Sequence, residues 1–174
     1  MHQLLLLRHA KSSWDDTKLA DRNRPLNKRG RQAAEAMRRA MLDLGLTPDL
    51  VLVSPSRRTL ETLAALEPWD ETPLVEQVEG LYLATVPQLL DILREVNETV
   101  RSLMLIGHNP GLHELAVRLA GTSAVGPLSA RLAEGFPTAA LAEFSVATQW
   151  QQIEHAGARL VRYLRPRDLP EPTT

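Results

Sequence analysis

Four consecutive leucines, Leu4 to Leu7, run straight into Arg8, His9 and Lys11. A run that apolar is driven to be buried, so the charged cluster behind it is delivered to the end of a buried element. The pattern recurs twice. Asp49 to Val53 runs into Ser54-Pro55-Ser56-Arg57-Arg58, and Ser102 to Ile106 runs into Gly107-His108-Asn109-Pro110. Arginine is permanently charged and its planar fork matches phosphate oxygens two at a time, so two or three arginines around one point suit a phosphoryl dianion. The same positive charge lowers the pKa of a neighbouring imidazole, which then stays neutral near pH 7 and can act as a nucleophile. Guanidinium groups would also stabilise the equatorial oxygens during in-line transfer.

Metal binding through His9 and His108 is the rival chemistry. Adjacent guanidinium groups would repel a cation, and no Asp or Glu lies within the three motifs to complete a ligand shell, so neither metal nor cofactor is expected. Ser54 and Ser56 lack a Gly-x-Ser-x-Gly elbow, and the turn at Gly107 lacks the lysine of a P-loop. His2, His113 and His155 have no such context and read as structural. Lys28, Arg29 and Arg31 read as part of a solvated helix face, and Lys11 and Trp14 lie where they could shape a pocket mouth.

The three motifs need elements that bring them together. Each apolar run has the continuous pattern of a strand buried on both faces. From Gly30, the residues Ala33, Ala36, Met37, Ala40, Met41 and Leu44 recur at helical spacing, with Gly45 at the cap position. Ser56 can cap a helix carrying Leu60, Leu63 and Ala64. Thr85-Val86-Pro87 opens another, and a further helix follows Pro110 with Leu112, Leu115, Ala116 and Leu119 on one stripe. Gly121 to Pro137 reads as a loop with at most a helical turn near Ala130. "TAALAEFSV" and "ARLVRYL" read as two more strands. Strands alternating with helices predict an α/β sandwich with a mainly parallel central sheet. The motifs then lie at the carboxyl ends of parallel strands, where ligands bind in open α/β sheets.

The totals fit a single domain over residues 1–165, with 166–174 as a loose tail. The chain has 174 residues, 44% hydrophobic and 24% charged, with a net charge of −1 and no cysteine. Interleaved charges ask for neither nucleic acid nor a membrane surface as partner. The leucine run is too short for a signal segment or membrane span, which makes the cytoplasm the expected location.

"RHAKS", "RPLNKRG", "SPSRRTLET" and "GHNPGL" resemble, in order, the diagnostic stretches of the histidine phosphatase superfamily, and most of all its SixA-type phosphohistidine phosphatase branch. "FPTAALA" and "ARLVRYLRPRDL" extend the resemblance over nearly the whole chain. It implies a three-layer, phosphoglycerate-mutase-like fold and a phosphatase working through a phosphorylated enzyme histidine. His9 matches that histidine, Arg8 the adjoining phosphate ligand, Arg58 the second pocket arginine and His108 the second pocket histidine. Arg24 matches a further phosphate contact. Thr59 stands where the family has a small alanine, and its larger side chain could crowd the helix start without abolishing the site. Many relatives that cleave alkyl phosphates use a glutamate as general acid; Glu76 and Glu79 lie in the right region, but neither sits in a matching motif.

The gap bears on substrate. An alkoxide leaving group needs a proton, whereas phosphohistidine releases imidazole, a far weaker base. The expected substrate is therefore a phosphorylated protein such as a histidine phosphotransfer domain. A small phosphate monoester, cleaved by a phosphatase or mutase, and a non-catalytic phosphate-binding module are the alternatives.

Overall fold

A computed structural model of the chain describes residues 1–121, 126–154 and 157–171. Six strands form one sheet in the order β3-β2-β4-β1-β5-β6. The strands are β1 (His2–Arg8), β2 (Leu50–Val53), β3 (Leu74–Gln77), β4 (Ser102–Gly107), β5 (Leu141–Val146) and β6 (Ala158–Leu164). β3, β2, β4 and β1 run parallel; β5 is antiparallel to β1, and β6 to β5. The helices are α1 (Lys28–Asp43), α2 (Arg57–Ala65), α3 (Val86–Arg94), α4 (Gly111–Ala120) and α5 (Pro127–Glu134).

The leucine run explains the layering. Successive strand side chains point to opposite faces, so a strand covered on both sides must be apolar throughout. Leu4 and Leu6 pack with Leu89, Leu93, Leu112 and Leu115 of α3 and α4. Leu5 and Leu7 face the other way, onto Met37 and Met41 of α1 and Leu63 of α2. All four leucines are fully buried. Two helical layers thus enclose one sheet, the three-layer α/β sandwich that the sequence predicts.

Four departures have local causes. β3 is an edge strand whose four residues are all exposed, so it carries no burial pattern to read. α5 occupies part of the stretch predicted as a loop; only Leu132 of it is buried, which leaves almost no periodicity. Residues 122–125 of that stretch lie outside the described residues, as do 155–156, including His155, and 172–174. The segment predicted as a loose tail begins with a 3-10 turn, Pro166–Asp168, in which Asp168 pairs with Arg165 at 2.8 Å, and Leu169 packs on the α1 side of the core. α1 starts at Lys28, two residues before the predicted Gly30, because the Asn27 side chain caps it by accepting from Gly30 N at 2.8 Å.

Candidate active site

Strand register brings the motifs to one level. Arg8 pairs with Gly107 across β1 and β4, and Val53 with Ile106 across β2 and β4. The ladder continues one step beyond: His9 N donates to Gly107 O, and Ser54 N to Ile106 O, each at 3.1 Å. His9, Ser54 and His108 therefore emerge side by side at the carboxyl edge of the sheet. Their ring centroids place His9 and His108 5.3 Å apart.

The tautomer of His9 follows from its partner. Nδ1 lies 2.7 Å from the Ala10 carbonyl oxygen, which can only accept, so Nδ1 carries the hydrogen and Nε2 keeps its lone pair. The Ala10 peptide is held in turn by Thr62, whose Oγ1 accepts from Ala10 N at 2.9 Å and donates to Arg58 O at 2.7 Å. Burial, reinforced by the charges of Arg58, Arg8 and Arg24, lowers the His9 pKa to about 4. Arg58 Nη2, which can only donate, faces His108 Nδ1 at 3.4 Å, so Nδ1 accepts and Nε2 carries the hydrogen toward Ser54 Oγ, 2.7 Å away. Burial, with His9 and Arg58 beside it, lowers its pKa to about 3. Both imidazoles are neutral near pH 7.

Arg58 sits in the first turn of α2, only 3% exposed, behind the Ser56 cap. Thr59 is accommodated in that turn. Its hydroxyl donates to Ser54 O at 2.7 Å and lies 2.6 Å from Ser56 Oγ, tying the helix start to the end of β2. Arg8 is held by Nη1, which donates to Phe136 O at 3.1 Å, and Asn109 Nδ2 donates to the same carbonyl at 2.8 Å. Ala139, with φ 61°, donates its N–H to the Arg8 and His9 carbonyls, each at 3.1 Å. The "FPTAALA" stretch thus clamps the backbone at the end of β1. The Nε groups of Arg8 and Arg58 are buried without a partner among the described residues. A buried unpaired N–H is costly, and an anion between these side chains would satisfy it.

Asp21 is the residue that sequence reasoning missed. Its Oδ2 accepts from Arg58 Nη2 at 3.0 Å and its Oδ1 from Arg24 Nη2 at 3.2 Å, and Tyr82 O–H donates to Oδ2. These donors, Tyr82 foremost, lower its pKa to about 2, so it is ionised. An aspartate opening a three-residue 3-10 turn, Asp21–Asn23, gives no sequence signal beyond lying three residues before Arg24. Arg24 itself is buried, donates to Ser12 Oγ at 2.8 Å, and lies 3.5 Å over the ring of Trp14, which is exposed at the rim.

Neither glutamate considered for a general acid touches this cluster. Glu79 is engaged at the surface by Arg22 at 2.5 and 3.0 Å, and Glu76 is exposed on β3. Among the described residues no three His, Asp or Glu side chains group as metal ligands. His2 and His113 bond to backbone carbonyls of Thr148 and Leu132, as structural histidines do.

The family model of the histidine phosphatase superfamily (branch 1) matches residues 4–81. An Arabidopsis thaliana chloroplastic protein, At3g52155, uncharacterized, is 34% identical over 131 residues, 70% of this chain; the chain spans 60% of that relative's length. The candidate phosphohistidine phosphatase SixA of Agrobacterium tumefaciens superposes with a TM-score of 0.81 at 30% identity, covering 95% of this chain and 98% of that one. Its counterpart from Nakamurella multipartitia gives 0.83 at 25% identity, covering 95% and 96%.

Proposed function

The chain belongs to the histidine phosphatase superfamily, and from that premise we propose a metal-independent, two-step phosphatase whose substrate is phosphohistidine on a protein. The observation that carries the reading is the hydrogen bond from His9 Nδ1 to Ala10 O, which leaves a bare Nε2 among three arginines.

In the first step the Nε2 lone pair attacks phosphorus in line. The P–N bond of the substrate breaks, and its electron pair returns to a leaving imidazole whose other nitrogen carries hydrogen. Arg8, Arg58 and Arg24 take the charge of the equatorial oxygens, and the unpaired Nε–H groups of Arg8 and Arg58 favour this assignment. His108, made basic again by the dianion, picks up a proton and donates from Nδ1. In the second step water attacks the phosphorylated His9, Nε2 recovers its electron pair, and inorganic phosphate forms with loss of a proton.

The state of the carboxylates bears on substrate. Asp21, the carboxylate nearest the arginines, is ionised, and Glu79 is engaged by Arg22. A site so equipped suits a leaving group that needs little protonation. Such a phosphoprotein substrate fits a location in the cytoplasm; no described helix is long and apolar enough to cross a membrane.

The test compares a phosphorylated histidine phosphotransfer domain with a panel of phosphate monoesters, chelator present, for the parent, His9→Ala and Glu79→Gln. The expected result is preference for phosphohistidine, loss of turnover by at least ~1,000-fold in His9→Ala, and no change in Glu79→Gln. Fast turnover of a monoester that collapses in Glu79→Gln would replace the substrate assignment and restore a glutamate acid.

A further inference from the structure

A cleft of about 710 Å³ opens beside the candidate site and shares Arg8 and Asn109 with it. Its walls come from five separate places in the chain: the end of β1 with Lys11 just after it, the start of α1, α4, the end of α5 with the Gly135–Thr138 turn, and the 3-10 turn after β6. Six permanent cations line it, Arg8, Lys11, Arg29, Arg131, Arg165 and Arg167, against one carboxylate, Glu134. Asp168 offsets Arg165 at 2.8 Å and lies 3.8 Å from Arg131. Lys11, Arg29 and Arg167 have no carboxylate within ion-pair distance among the described residues. In a chain of net charge −1 this is a segregation of charge, and folding made it from residues far apart in sequence.

We propose that this cleft docks an acidic face of the phosphohistidine-bearing partner protein, an inference that rests on the substrate class argued above. Position supports it: a phosphoryl group delivered to His9 comes in past Arg8, so the body carrying it lies against the cleft. The state of the cations selects a protein over a small ligand. Pockets for small molecules bury most of the ligand behind apolar walls. Here Lys11, Arg29 and Arg167 stay exposed at the rim, where charge acts on encounter and orientation with a solvated macromolecular surface. Arg29, read from sequence as part of a solvated helix face, thereby gains a partner.

The experiment uses the double variant Arg29→Glu/Arg167→Glu, with Arg29→Gln/Arg167→Gln beside it. Neither residue touches the reacting groups. Each protein is assayed with the phosphorylated phosphotransfer domain and with phosphoimidazole, which has the same P–N bond and no protein body. For the charge reversal, kcat/KM on the domain should fall by ~10-fold or more, mostly through KM, and lose much of its salt dependence. The neutral pair should lie between, and phosphoimidazole turnover, which also reports intact folding, should hold in all three. Unchanged turnover of the domain overturns the docking surface while leaving the substrate class standing. An equal fall on phosphoimidazole also overturns it, because the cleft would then serve the reacting phosphoryl group itself. If the parent ignores the phosphorylated domain and cleaves a monoester, the substrate class fails and the docked partner with it.

Discussion

A single hydroxyl shows how the reacting atom is aimed. Thr62 Oγ1 fixes the Ala10 peptide, and the Ala10 carbonyl fixes the His9 ring. Asp21 performs the matching task for the cations, holding Arg24 and Arg58 through its two oxygens. Its negative charge also offsets their mutual repulsion. Its side chain is 45% exposed, so little global stability rests on it. We therefore expect Asp21→Ala to lower kcat/KM by ~10- to 100-fold, the scale of a misaimed contact, with a small change in melting temperature. Asp21→Asn, which keeps one accepting oxygen, should recover part of the loss. Steady-state kinetics on both variants checks this, and equal, parent-like rates would remove Asp21 from the positioning of the arginines.

At the scale of elements, the start of α1 is pressed against the strand end that bears His9. Gly30 lies in the first turn, and a Cβ built there would come 2.1 Å from the Lys11 carbonyl oxygen, which already accepts from Asn27 N at 3.0 Å. Alanine normally stabilises a helix relative to glycine by ~1 kcal/mol. Here backbone overlap exceeds that gain, since overpacking costs ~1 to 3 kcal/mol and the obstructing atom is a carbonyl that cannot rotate away. Gly30→Ala should therefore destabilise the protein in urea. It should also slow turnover, because α1 can relieve the overlap only by moving the 10–11 segment that orients His9. A more stable, fully active variant would show that α1 and the site are not coupled there.

For the molecule as a whole, the site weakens stability toward acid. An unfolded histidine titrates near pH 6.5, whereas folding lowers His9 to about 4 and His108 to about 3. Above pH ~6.5 both states are neutral and neither histidine affects the balance. As pH falls from ~6.5 toward 4, the unfolded chain binds protons that the folded chain refuses, so stability declines. The limiting slope is ~1.4 kcal/mol per pH unit for each histidine. Asp21, lowered to about 2, adds a loss in the same direction only at lower pH, as its unfolded carboxylate protonates. Urea midpoints at pH 7, 6 and 5 should fall steadily in the parent and more gently in His9→Ala. A flat midpoint from pH 7 to 5 would mean that the imidazoles are not held neutral by folding.

The leucine-type runs determined the central strands by themselves, because a strand covered on both faces must be apolar at every position. The same rule carried Arg8, His9, Arg58 and His108 to one sheet edge, and sequence order and spacing made them stand out as a set. β3 and α5 were not legible, since exposed strand residues and a helix with one buried side chain leave no period to detect. Tertiary structure alone decided the finer contacts. It paired Asp21 with two arginines, aimed His9 through Thr62, and engaged Glu79 with Arg22 at the surface. It also gathered Lys11, Arg29 and Arg167 around one cleft. Periodicity reports which way a side chain faces relative to the core; which distant polar groups meet depends on loop paths and register, which no local pattern encodes.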